Sequence, residues 1–205
     1  MGNRAVITSK ENFENNGIGI YLHWNGGRDS VEGFLKYCEL KGYRSPTSDC
    51  YGWARLTQVI SNFFGGTTSI GVDVVNRLDC DNYDNGVYII DGWEIVDRKY
   101  HEGREQDGYP LNEMLKAIDE RQPESEQLGA YITAPEVPVS ELKVGDTVYI
   151  RNWNDEIKQV TILGFGEDKI VNGSRVKGLP FAEIVNASTD NPNNYIHDTT
   201  VRRAV

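Results

Sequence analysis

Two stretches of the chain carry apolar residues at the spacing of an amphipathic helix. The first runs from Ser30 to Leu40 and the second from Cys50 to Phe64. Apolar positions three and four residues apart place their side chains on one helical face. The two faces consist of Val31, Phe34, Leu35 and Cys38, and of Trp53, Leu56, Val59, Ile60 and Phe63. A third, shorter helix is predicted over 113–121.

Alternating or β-branched runs predict strands around these helices. They cover residues 4–9, 18–24, 69–78 and 86–96, and Asp91-Gly92 is a candidate turn within the last run. The polar segment 10–17 ends in Asn15-Asn16-Gly17, so we expect the first two strands to pair as an antiparallel hairpin. Residues 1–122 are therefore predicted to form an α+β domain with an N-terminal antiparallel sheet and about three helices.

Residues 139–205 show no helical period. Short apolar runs at 139–150, 159–165, 169–171 and 181–185 are separated by turn residues, a pattern typical of a small β-barrel. The run from Leu142 to Val148 resembles the opening strand of SH3-like barrels, which implies an SH3-like β-barrel domain. Residues 123–138 contain three prolines and are predicted to be a linker.

The composition narrows the classes of function. The 205-residue chain carries a net charge of −10 with no basic patch, so direct binding to nucleic acid is not expected. No apolar run approaches the roughly 18 residues of a membrane span, and the start of the chain has no signal-peptide core. We therefore expect a cytoplasmic protein without membrane contact. Cys38, Cys50 and Cys80 have no metal-type spacing, which predicts reduced thiols and neither a metal nor a cofactor.

The segment from Tyr21 to Ser30 joins the second predicted strand to the first predicted helix. Two glycines break the strand because they accept backbone angles that other residues resist. Asp29 or Ser30 is then expected to cap the helix, with Glu32 completing a capping-box pattern. Such a junction brings backbone N–H groups together at a helix start, where an anion can bind.

The last six residues of that segment resemble the Ser-Gly-Gly-x-Asp-Ser loop of PP-loop ATP pyrophosphatases. Asn25 stands where that family has its first serine. The resemblance implies a phosphate-binding enzyme, with Gly26, Gly27 and Arg28 contacting the anion. A strand–turn–helix junction without a ligand is the alternative.

The run Ser48-Asp-Cys-Tyr-Gly52 places Cys50 at the start of the second predicted helix. It resembles the Asp-Cys-Ser-Gly motif of NlpC/P60 cysteine peptidases, with Tyr51 in place of the serine. A helix N-terminus favours the thiolate form of a cysteine, which is the nucleophile. The resemblance implies a thiol hydrolase that uses Cys50 with His101 as its base. The alternative is a structural thiol on an apolar helix face.

Seven acidic residues and a single basic residue, Arg77, fall between positions 73 and 97. Carried on adjacent strands and their turn, they would form a negative ridge that imitates a phosphate backbone and binds a basic groove. The predicted ridge consists of Asp73, Asp79, Asp81, Asp84, Asp91, Glu94 and Asp97. Trp153, in a turn of the second domain, is expected to add an exposed aromatic contact. A solvated hairpin face is the alternative.

Two motifs together, 21–30 and Asp49-Cys-Tyr-Gly-Trp-Ala-Arg55, resemble accessory proteins of Gram-positive mobile elements and phages. Some small acidic proteins of such elements are anti-CRISPR or antirestriction factors. The resemblance implies a non-enzymatic inhibitor whose partner is a host-defence effector with a basic groove, such as a Cas9-type nuclease. The thiol hydrolase, the phosphate-binding enzyme and a scaffold with a barrel interaction module remain alternatives.

Overall fold

The computed structural model describes residues 2–47, 49–66, 69–101, 108–151, 156–166, 169–171, 174–176, 178–182, 194–196 and 200–204. The chain divides into two compact units, residues 1–129 and 130–205. No helix within these described ranges has both the length and the apolar character needed to cross a membrane.

The first unit combines one five-stranded sheet with the four α-helices of the described chain. Its elements are β1 (Ala5–Ser9), α1 (Lys10–Glu14), β2 (Ile18–Leu22), α2 (Arg28–Leu40), α3 (Cys50–Phe63), β3 (Ile70–Val74), β4 (Val87–Asp91), β5 (Glu94–Lys99) and α4 (Leu111–Asp119). The mixed α+β class agrees with the sequence prediction. The short α1 was not predicted, since five residues are too few to show a helical period.

The strand order of this sheet is β3-β2-β1-β4-β5. β1 and β2 pair antiparallel, as the turn between them predicts, but β1 and β4 pair in parallel. The sheet is therefore mixed, and the expectation of a purely antiparallel sheet was wrong. Parallel neighbours need a long crossover connection, and here α2 and α3 lie in the chain between β1 and β4.

Both faces of the sheet are covered. On one face Phe13 of α1 packs with Val6, Val87 and Ile89. Alternate residues of the same strands point to the opposite face, where Ile7 is fully buried. Helices α2, α3 and α4 pack on one another and supply further buried apolar side chains.

A buried polar contact secures α2 to the end of α4. The hydroxyl of Tyr37 donates to Asp119 over 2.7 Å, and the same carboxylate accepts the backbone N–H groups of Leu128 and Gly129. Burial and the hydrogen bond to Asp119 raise the pKa of Tyr37 well above its usual range. The segment after α4 is thereby attached to the first unit.

The second unit is built from strands. These are β6 (Glu136–Pro138), β7 (Thr147–Arg151), β8 (Ile157–Phe165), β9 (Lys169–Val171), β10 (Ser174–Val176), β11 (Pro180–Ala182), β12 (Asn194–Tyr195) and β13 (Thr200–Arg203). Six of them form a sheet in the order β12-β11-β8-β7-β13-β6, and β9 pairs with β10. Among the described residues the outer strands β6 and β12 do not pair, so no closed barrel forms. The predicted linker region 123–138 includes β6 at its end.

Candidate functional site: a groove at the start of helix α3

A groove of about 630 Å³ opens in the first unit where β1 and β4 end. Its walls are α1, the loop before α3 and the first turn of α3. Ser9 is the last residue of β1 and Asp91 is the last residue of β4, and both line the groove. The carboxyl ends of parallel strands are a common place for a binding site, because loops and helix starts meet there.

Local sequence explains how α3 begins at this groove. The Asp49 carboxylate caps the helix by accepting the N–H groups of Tyr51 (2.7 Å) and Gly52 (3.3 Å). The guanidinium of Arg44 bonds the same carboxylate over 3.1 Å and holds the pKa of Asp49 below its usual value. A β-carbon at Gly52 would stand 2.4 Å from the backbone nitrogen of Pro46, so only glycine allows the loop to pack here.

The rim of the groove is mainly acidic. Glu11 and Glu14 come from α1, Asp49 from the cap of α3 and Asp91 from the end of β4, and Lys10 is the one basic residue of the lining. Three of these carboxylates lie on exposed residues, and Asp49 is half-buried. The Asp91 carboxylate accepts the Thr47 hydroxyl at 3.4 Å, which ties the loop to the end of β4.

Cys50 is exposed and lines this groove. No histidine belongs to the described lining. His101 follows β5, whose Lys99 pairs with Val87 at the start of β4, whereas Asp91 at the groove ends that strand. The four residue steps from Val87 to Asp91 along β4 correspond to about 13 Å. The structure therefore does not bring Cys50 and His101 together.

The predicted anion loop lies at the opposite end of the sheet. The N–H of Gly26 donates to the carbonyl of Asn3 over 2.8 Å. A β-carbon at Gly26 would stand 2.6 Å from the backbone nitrogen of Ala5, so close packing on the start of β1 accounts for this glycine. Arg28 binds the side chain of Glu32 at 2.6 Å on the same helix.

Helix α2 begins at Arg28, two residues earlier than the predicted run from Ser30. Gly27 occupies the N-cap position without a side-chain hydrogen bond, and Asp29 lies within the first turn. The Asp29 carboxylate instead accepts the backbone N–H groups of Gly108 (2.9 Å) and Tyr109 (3.0 Å). The helix start is thus next to a carboxylate of the chain itself, which leaves less room for a bound anion.

The seven predicted ridge acids are distributed around the sheet. Asp73 is on edge strand β3, whereas Glu94 and Asp97 are on β5 at the opposite edge. Asp79, Asp81 and Asp84 lie before β4, and Asp91 is its last residue. They do not share one face.

Several of these acids have partners within the chain. Arg4 bonds Asp84 at 2.8 Å and lies 3.7 Å from Asp79, and Lys99 bonds Asp97 at 2.6 Å. The contact with Lys99 holds the pKa of Asp97 below its usual value. Asp73 lies 3.8 Å from Arg77.

Two acids of the predicted ridge do come together at the groove end of the sheet. Asp91 pairs with Glu94 across the β4–β5 turn, and both are exposed. Sequence reasoning missed the α1 acids Glu11 and Glu14, because the segment 10–17 was interpreted as a polar turn. The serine before Lys10 was an available signal: Ser9 caps α1 by accepting the N–H of Asn12. Trp153 lies outside the described residues.

The described residues contain no cluster of three or more histidine, cysteine, aspartate or glutamate side chains suited to a metal ion. Comparisons with protein-family models, curated proteins and solved structures found no match for this chain. The groove, its acidic rim and its exposed thiol are therefore the features from which a function is argued.

Proposed function

We propose that this chain is a non-enzymatic, acidic inhibitor of the anti-CRISPR or antirestriction type. It acts in the cytoplasm and binds a nucleic-acid-handling effector of host defence, such as a Cas9-type nuclease. The observation that carries the proposal is the acidic end of the sheet, where Asp91 and Glu94 lie together on an exposed turn beside the groove. Carboxylates there would compete with phosphates for the lysine and arginine side chains of the effector.

The separation of Cys50 from His101 favours binding over catalysis. A hydrolase needs a base within hydrogen-bond reach of its nucleophile. The residues around Cys50 offer carboxylates and amides but no described imidazole. The closed packing of Gly26 likewise favours binding over nucleotide chemistry.

The second unit is proposed to be an SH3-like interaction module. Its sheet order β12-β11-β8-β7-β13 places the last strand beside β7, the first strand of the central hairpin. That return of the final strand is compatible with the SH3-like arrangement that the run from Leu142 to Val148 suggests. Its buried core includes Leu142, Val148 and Ile162.

The proposal is tested by measuring binding to a purified, guide-loaded Cas9-type nuclease at several salt concentrations. We expect the affinity to fall steeply with salt, because the contact replaces phosphates at basic side chains. The double variant Asp91→Lys/Glu94→Lys should weaken binding at least tenfold, since like charges would then face each other. Reversal at Asp84 is a poorer test, because that carboxylate bonds Arg4 within the fold.

The matched control is Glu113→Lys/Glu120→Lys, which changes the net charge equally at exposed positions on or next to α4. It should bind nearly as well as the unmodified chain. Equal weakening in both double variants would assign the effect to net charge alone and contradict the proposed surface. Affinity that does not change with salt would contradict the acidic mechanism itself.

A further inference from the structure

The groove beside α3 combines an apolar floor with an acidic rim. Trp53, Ile90 and Val96 contribute to its lining, and Trp53 is 6% exposed. Four of its five ionisable carboxylate or ammonium side chains are acidic. A cavity of about 630 Å³ is large enough for a long side chain and its neighbours.

The start of α3 does not compete for an anion in this cavity. The N–H groups of Tyr51 and Gly52, in the first turn of α3, already donate to the Asp49 carboxylate. Asp49 is itself neutralised by Arg44 at 3.1 Å. The charge available to a ligand therefore comes from the other acids of the rim.

Those acids approach the groove from two directions. Glu11 and Glu14 are on exposed positions of α1, and Asp91 is the last residue of β4. Within the described chain no ion pair joins Glu11 or Glu14 to a basic residue. A cation that enters between α1 and the end of β4 would meet carboxylates on both sides.

We infer that the groove receives an arginine or lysine side chain of a protein partner. The aliphatic stem would pack against Trp53 and Val96, and the cationic head would lie between Asp91 and the carboxylates of α1. The inference rests on the proposed function, because it names the part of the basic effector that this site holds. It also makes the groove, rather than the dispersed ridge, the centre of the interface.

Cys50 provides a local reporter, because its exposed thiol lines the groove. Cys38 is buried, and burial raises its pKa well above the usual range, so it should react far more slowly. Burial also raises the pKa of the half-buried Cys80. Peptide mapping after brief treatment with N-ethylmaleimide therefore follows the occupancy of the groove.

The experiment adds a tetra-arginine peptide to the full chain and measures the alkylation rate of Cys50. We expect at least a fivefold lower rate with this peptide and no change with a tetra-glutamate peptide. The variant Glu14→Gln/Asp91→Asn should lose the protection, whereas the control Glu113→Gln/Glu120→Gln should keep it. Circular dichroism of both variants checks that they are folded.

A rate that is unchanged or raised by tetra-arginine would overturn the inference, as would equal protection by tetra-glutamate. The result is separable from the test of the proposed function. If the effector binds in a salt-dependent way but tetra-arginine gives no protection, the groove inference fails and the inhibitor proposal stands. If tetra-arginine protects Cys50 but the effector does not bind, the inhibitor proposal fails and the groove is still a site for a basic side chain.

Discussion

The two ends of the five-stranded sheet have similar local structure, but the space beside the helix is filled at one end and open at the other. At each end a loop leads into a helix of the first unit, α2 at one end and α3 at the other. The start of α2 is closed by the chain itself, through Gly26 against β1 and Asp29 against residues 108–109. The start of α3 borders an open groove. A loop–helix junction thus becomes a candidate site only where no other segment fills the space beside it.

We expect the largest change in stability from Gly26→Ala, which tests how the chain closes the start of α2. The added β-carbon would stand 2.6 Å from a backbone nitrogen and 2.7 Å from a carbonyl oxygen, so β1 or the loop must move. We expect the free energy of unfolding to fall by about 3 kcal/mol, as for other overpacked sites. Urea unfolding followed by circular dichroism measures the change.

The matched control for Gly26→Ala is Gly71→Ala on β3. There the nearest atom to an added β-carbon is 3.7 Å away, and the change should be under roughly 1 kcal/mol. If Gly26→Ala were as stable as the unmodified chain, the packing of the glycine loop on β1 would be contradicted. The loop would then be available to an anion after all.

Asp29→Ala tests the second contact that closes the start of α2. Asp29 is 7% exposed, and its carboxylate accepts the N–H groups of Gly108 and Tyr109. Removing the acceptor leaves these donors without it, so we expect a loss of about 2 kcal/mol in the free energy of unfolding. Asp29→Asn keeps one oxygen and should lose less. An unchanged free energy of unfolding in Asp29→Ala would show that other contacts hold residues 108–109.

We expect the smallest effect from Arg44→Gln, which tests how the cap at the start of α3 affects stability at low pH. Arg44 holds the pKa of Asp49 below its usual value of 3.8 in the folded chain. A lowered folded pKa contributes stability above the unfolded pKa, and this contribution is lost as the pH falls through the folded value. Arg44→Gln should therefore move the acid-induced fall in Tm to a slightly higher pH.

Differential scanning calorimetry between pH 5 and pH 2 would record this shift. Arg55→Gln is the matched control, since its guanidinium bonds Gln58 and lies over the ring of Tyr43 rather than beside a carboxylate. Identical acid transitions in both variants would contradict the effect of Arg44 on the Asp49 carboxylate that caps α3.

Local features of the first unit were predictable from sequence. The apolar face of α2 was correct because Val31, Phe34, Leu35 and Cys38 are all buried, as the spacing requires. The start of α3 at Cys50 was also correct, because its cap, Asp49, bonds the next residues in the chain. Both features depend on residues within one or two helical turns.

Features that depend on distant residues were not predictable. Asp29 was taken for a cap because its partners at 108–109 lie about 80 positions away. The prediction of an acidic ridge did not include the effect of Arg4, which bonds the carboxylate of Asp84 from 80 positions away in the chain. The parallel pairing of β1 with β4 has no local signal either. The groove depends on this last contact, because the parallel pairing places Ser9 beside Ile90, so its residues could not be grouped from the sequence.

The position of β1 has a consequence for how the first unit is assembled. β1 precedes the other four strands of this sheet in the chain, yet it is the central strand. Its antiparallel partner β2 follows within about ten residues, whereas its parallel partner β4 lies about eighty residues further on. Closing that longer loop costs more entropy, so we expect β1 to pair with β2 before it pairs with β4. We therefore expect the groove, which includes Ile90 and Asp91 of β4, to be completed late in folding.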